Sequence, residues 1–150
     1  MADKLKINQE ITLDGKNYKV IGVDYYRLKN VSGNTKEWVS YTLIDNEGNK
    51  TWISYGAVKD YFIQWSLIAE TEFRKEVTVP ANLDLSGIAH VTFEGNPGYS
   101  TPTAELIWFD LTSGPYDFVV FERFLRQEQD HLEPMESYYD AGKILKDFKP

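Results

Sequence analysis

Apolar and polar positions alternate with period two along most of this chain. Residues 5–13 set Leu5, Ile7, Ile11 and Leu13 on one face, with Gln9 the single polar position among them, a pattern that predicts a half-buried strand. Asp14-Gly15 follows as a tight-turn pair, because glycine accepts the positive φ that short hairpins need. A second strand runs from Tyr18 to Tyr26, and Gly22 within it marks a bulge or a close backbone approach. Asn30 to Asn34, with Ser32 and Gly33, reads as a loop.

Two aromatic hairpins dominate the pattern. The first is Trp38-Val39-Ser40-Tyr41-Thr42-Leu43, a turn at Asp45-Asn46-Glu47-Gly48, then Trp52-Ile53-Ser54-Tyr55. The second is Leu106-Ile107-Trp108-Phe109-Asp110-Leu111, a turn at Ser113-Gly114-Pro115, then Phe118-Val119-Val120-Phe121. If Asn46-Glu47-Gly48 is a three-residue loop with Gly48 left-handed, the register of the first hairpin follows. Val39, Tyr41 and Leu43 then share a face with Thr51, Ile53 and Tyr55, and this is the core face. Trp38, Ser40, Thr42, Trp52 and Ser54 share the other. That second face is either an exposed platform or a surface covered by another strand or sheet. The second hairpin is apolar at odd and even positions alike, which predicts cover on both faces.

Elsewhere the pattern is less decisive. Within Asp60 to Glu70, Tyr61, Ile63, Trp65 and Leu67 alternate as in a strand, while Val58, Tyr61, Phe62 and Trp65 fit a helical stripe. The preceding Gly56 and the aromatic content favour the strand. Phe73 to Val79 reads as a strand stopped by Pro80, Ala81 to Leu85 as a connection, and Ile88 to Glu94 as another strand. Gly95 to Pro102 carries the strongest loop signal. The tail from Arg123 is the most polar stretch, and Pro134 followed by Met135, Tyr138, Tyr139 and Gly142 predicts a short helix there.

These elements predict one all-β, mainly antiparallel domain over residues 1–150, a small barrel or sandwich with a short C-terminal helix. Two SH3-like half-barrels sharing one core are the specific architecture expected. Aligning Tyr41 with Phe109 makes residues 5–70 and 71–125 echo each other, with 126–150 as a tail, and Gly15 and Gly87 each precede a similar strand. Duplication and two generic hairpins both account for the echo.

Aromatic residues make up 15% of the chain, which strengthens the strand reading. There is no cysteine, so thiol chemistry, disulfides and Cys-ligated zinc are excluded. The net charge of −7 repels phosphate backbones and anionic lipid, and no Lys/Arg cluster offsets it, so no nucleic-acid partner is expected. Met1 to Lys6 leads into no apolar signal region, and the apolar runs are too short to span a bilayer. A soluble, cytoplasmic protein without membrane insertion is expected.

Candidate chemistry is sparse. His90 and His131 are the only histidines: His90 sits within a strand with no catalytic constellation around it in sequence, and His131 lies in the acidic tail, a poor setting for a general base. The Asp45–Asn49 turn lacks the spacing and distal Glu of a calcium loop. There is no Gly-x-Ser-x-Gly elbow, and Gly95-Asn96-Pro97-Gly98 lacks the Lys and helix of a phosphate loop. Glu94, Glu105 and Glu122 are available carboxylates, but 23 acidic residues make any such choice weak. No catalytic residue, cofactor or metal is expected. The binding candidates are Trp38 and Trp52 with Ser40 and Thr42, an apolar face with hydroxyls at its side, and Tyr99 in the long loop. An ordinary buried sheet face and an ordinary connection are the plainer accounts of the two.

The first hairpin resembles an uncharacterised bacterial family, domain of unknown function 4178. The resemblance starts at Gly15-Lys16-Asn17-Tyr18-Lys19-Val20-Ile21-Gly22 and continues through Trp38–Leu43 and Gly48-Asn49-Lys50-Thr51-Trp52-Ile53. Phe93-Glu94-Gly95-Asn96-Pro97, Glu122 and Glu136 to Leu145 are similar to the family's later half, while Asp60 to Ser86 matches nothing in it. The family carries no assigned activity or site residue. Its association with envelope and membrane-stress genes implies an accessory role. The expected function is therefore a non-catalytic module or adaptor whose partner is another protein. The alternatives are an enzyme using carboxylates such as Glu94 or Glu122 with Tyr99 or His90, and a carbohydrate-binding module.

Overall fold

Period-two alternation becomes strand along most of the chain. The computed structural model describes residues 4–29, 35–78, 81–97, 101–112 and 114–150. In chain order the elements are β1 (Glu10–Leu13), β2 (Lys16–Lys29), β3 (Thr35–Ile44), β4 (Lys50–Tyr55), β5 (Phe62–Leu67), α1 (Glu70–Glu76), β6 (Ala81–Gly95), β7 (Thr103–Leu111), β8 (Phe118–Glu128) and β9 (His131–Leu145). All strand pairs are antiparallel. No described helix is long and apolar enough to cross a membrane.

Turn chemistry sets the registers. Leu13 pairs with Lys16 across a two-residue turn in which Asp14 (φ 52°) and Gly15 (φ 77°) are both left-handed, the geometry that matches strand twist. In the β3–β4 turn, Asp45 Oδ1 accepts from the amides of Glu47 (2.9 Å) and Asn49 (2.8 Å), and Gly48 takes φ 85°. The resulting pairs Val39–Tyr55, Tyr41–Ile53 and Leu43–Thr51 are those the loop length predicts.

The sheet has nine strands in the order β1-β2-β3-β4-β5-β9-β8-β7-β6, and β6 pairs back onto β2. Strands β2 to β9 thus form a closed ring. One edge of β2 is shared: β1 pairs with Lys16 to Lys19, and β6 pairs with Gly22 to Leu28. The bulge between Val20 and Gly22 falls at that handover. Gly22 is also a close approach, since a Cβ there would lie 2.5 Å from the Asn96 backbone carbon. The strands of the two sequence halves belong to one sheet, joined at two seams, β2–β6 and β5–β9.

Both sides of the ring wall are packed. Inside lie Tyr26, Leu28, Trp38, Ile63, Trp65, Trp108 and their neighbours. Outside the first half, Val39, Tyr41, Leu43 and Ile53 pack under Leu5, Ile11 and Leu13, with Phe148 against the same cluster. Outside the second half, Phe73 of α1 packs with Val119 and Ala141, and with the half-buried Phe109 and Tyr139. The second hairpin is therefore covered on both faces, as its composition predicts.

Three expectations are corrected. The one short helix described lies at Glu70–Glu76, not at the C terminus, and takes up part of the stretch read as a strand from Phe73. Its first turn is acidic (Glu70, Glu72) and its last basic (Arg74, Lys75), which suits the helix dipole. Residues 134–142 form strand rather than helix, paired along β8 and joined on the other edge by β5 from Asp140 onward. Pro134 is accommodated beside the irregularity between Arg123 and Leu125. Residues 81–85 extend β6 rather than connect to it. The predicted loop at 30–34 lies outside the described residues.

Candidate functional site

Inward-facing side chains of the ring do not fill it. They enclose a cavity of about 80 Å³, room for several water molecules or a small organic group. Alternation decides what lines it. β3 contributes Trp38 and Ser40, β4 Trp52 and Ser54, β5 Trp65 and Leu67, and β7 Leu106 and Trp108. All four tryptophans of the chain meet here. Trp38 stacks on Tyr26 (centroids 5.0 Å apart, planes at 5°), while Trp108 stands edge-on to Trp38 (6.3 Å) and Trp65 (5.1 Å). Trp65 Nε1 donates to Ser54 Oγ (2.8 Å). Gly142 lets this ring sit close, since a Cβ there would lie 2.5 Å from Trp65 Cζ3.

The polar part of the lining is acidic. β2 brings Asp24 and Tyr26, β8 Glu122, and β9 Tyr138 and Asp140. Tyr26 Oη donates to Glu122 Oε1 (3.1 Å). Burial pushes the Glu122 carboxyl up to about 8, and the charges of Asp140 and Asp24 add to that while the Tyr26 hydrogen bond opposes it. Burial likewise raises Asp140 to about 7. Burial, then the charge of Glu122, holds the Tyr26 hydroxyl well above the usual phenol range. No Lys, Arg or His is among the described lining residues. The indole N–H of Trp108, a residue 2% exposed, has no hydrogen-bond partner among the described residues. Leu67 is 47% exposed and also lines the cavity, so the cavity meets the surface beside it.

Three of the sequence candidates meet in this cavity: Trp38, Ser40 and Trp52. Trp38 is 5% exposed and Trp52 half-buried, and both turn towards the ring interior, where they pack with its aromatic cluster. Thr42 is on the same side of β3 but is buried and donates to the Pro97 carbonyl (3.1 Å). Tyr99 lies outside the described residues. Of the described residues named for an enzyme, Glu122 alone lines the cavity, while Glu94 and His90 are exposed on β6. Glu105 pairs with Arg123 (2.7 Å) away from it.

Sequence reasoning missed Asp24, Tyr26, Trp65, Trp108, Tyr138 and Asp140 as site residues. One signal was present. Phe118, Val120, Glu122 and Phe124 share a face by alternation, and a carboxylate in an apolar row is a buried charge that needs a reason. Asp140 was hidden by the helix reading of its segment. Asp24 was hidden by the bulge at Gly22, which shifts the face on which it falls. No family model, no curated protein and no solved structure matches this chain.

Proposed function

We propose that the protein is a non-catalytic binding module that takes a small ligand into its sheet ring. The observation that carries this reading is the unfilled cavity walled by tryptophan and opening beside Leu67. Interiors of small closed sheets are ordinarily filled by side chains, and an apolar void with a few polar groups has the make-up of a small-molecule site, here one with room for only a small group. The occupant is then a small molecule, rather than the protein partner expected from an exposed aromatic face.

The test is a ligand-observed NMR and thermal-shift screen of metabolite-sized compounds, with tryptophan emission as the site-specific readout. Ligands should quench or shift that emission and raise the melting temperature. Ser40→Phe, which fills the cavity from β3, should abolish both effects while circular dichroism stays unchanged. Hits whose binding survives Ser40→Phe, or an empty screen, would overturn the reading.

A second reading rests on a different observation. Carboxyls held at about 8 (Glu122) and about 7 (Asp140) are poised for proton transfer near neutrality. An acid–base enzyme of unassigned reaction uses such a pair. Conversion of a bound hit, followed by mass spectrometry and lost in Glu122→Gln, would favour it over simple binding.

A further inference from the structure

Three features of the cavity bear on the charge of what it binds. First, its lining carries three carboxyl groups, from Asp24, Glu122 and Asp140, and no basic side chain among the described residues. Ionising a buried carboxyl is costly, and Glu122 and Asp140 meet that cost by keeping their protons to a higher pH than ordinary carboxyls do. Second, the walls are indole rings, whose negative faces attract cations most strongly where water is excluded. The protein already uses one of them this way: Lys36 Nζ sits 5.7 Å from the Trp108 ring centroid. Third, Trp108 Nε1–H is a buried donor without an acceptor among the described residues, which an occupant bearing a hydroxyl would supply.

We propose that the ligand is a small organic cation, an alkylammonium or amino alcohol, held between the tryptophan faces and the carboxylates of Glu122 and Asp140. This rests on the binding-module reading and names its ligand class. A metal ion fits less well, since no group of three or more His, Cys, Asp and Glu among the described residues is placed to hold one. A neutral sugar or an anion leaves the acidic row unanswered.

The proposal carries a pH dependence. The groups facing Glu122 are Asp24 and Tyr26 from β2 and Tyr138 and Asp140 from β9, while Lys36 from β3 is the nearby cation on Trp108. A bound cation favours the ionised carboxylates, so binding expels protons and tightens as the pH rises to about 8.

The experiment is calorimetric titration of the intact protein with matched probes: tetramethylammonium, choline, ethanolamine and guanidinium, against the neutral 3,3-dimethylbutan-1-ol, an isostere of choline. At least one cation should bind about tenfold or more tighter than the neutral isostere. Its affinity should rise with pH and its binding should release protons. Glu122→Gln should remove most of the preference and flatten the pH dependence, with the fold checked by circular dichroism. Ser40→Phe should abolish binding altogether. If no cation binds better than the neutral probe, the charge assignment fails. If in that case the broader screen still finds cavity ligands, the binding-module reading stands without it. If that screen is also empty, both fail.

Discussion

Glu122 is the residue on which most of the chemistry turns. It occupies the third place in an inward row of Phe118, Val120 and Phe124, three residues that are 4–6% exposed. Its neutral form is the one this setting favours. A carboxyl whose folded pKa exceeds its unfolded one binds more protons folded than unfolded, so stability falls as the pH rises between the two. For Glu122 that window runs from the ordinary 4.5 to about 8, and for Asp140 from 3.8 to about 7. Each pH unit within a group's window is worth at most about 1.4 kcal/mol for that group, so raising the pH from about 5 to about 9 costs several kcal/mol in all. Urea unfolding at about pH 5 and about pH 9 should show that loss. Glu122→Gln should recover a large part of it at the higher pH. An equal slope in wild type and in the Glu122→Gln/Asp140→Asn double variant would rule the two carboxyls out as its source. The residue scale is also where sequence is least informative. Trp38 and Trp52 stand out in the chain, yet whether they face water or each other depends on strands far away.

At the scale of elements, local turn chemistry decided what was legible. The β3–β4 hairpin could be read to the residue because Asp45, Gly48 and the alternation all specify one register. Aromatic content likewise points to a strand within Asp60 to Glu70, and β5 occupies Phe62–Leu67 of it. β9 reads as helix because its proline and glycine mimic helix ends, and only its pairing with β8, and with β5 from Asp140 onward, makes it a strand. α1 failed in the opposite sense: the short run around Phe73 and Val77 has too few apolar residues to separate period two from the helical period. Its role is to cover the outer face of β8 and β9, with Phe73 9% exposed against Val119, Tyr139 and Phe109. Tyr139 and Tyr116 also reach the helix, donating to Glu70 (2.7 Å) and Glu72 (3.0 Å). Phe73→Ala should cost about 3 kcal/mol in chemical denaturation. Ligand binding should be unchanged, because the cavity lies on the other side of the wall. A loss below about 0.5 kcal/mol would mean that the helix is not a structural cover.

At the scale of the whole molecule, β2 to β5 and β6 to β9 each form a run of sequential neighbours, and the ring exists only where the runs meet. Both meetings join residues distant in the chain, such as Tyr26 with Val91 and Trp65 with Gly142. This arrangement has a consequence in time. Hairpins between neighbouring strands close short loops and form early, whereas the seams must close long ones, so sealing the ring is the late event and folding is slow, in the millisecond-to-second range. Stopped-flow kinetics should separate the two stages. Ile53→Ala, within the β3–β4 hairpin, should slow folding, whereas Val91→Ala, at the β2–β6 seam, should mainly speed unfolding. The reverse pattern would mean that the ring is seeded at its seam. If the seams close last, the acidic cavity comes into being only in the final step. Until then Glu122 and Asp140 are ordinary surface carboxylates, and at neutral pH the protein takes up their protons from water as it closes.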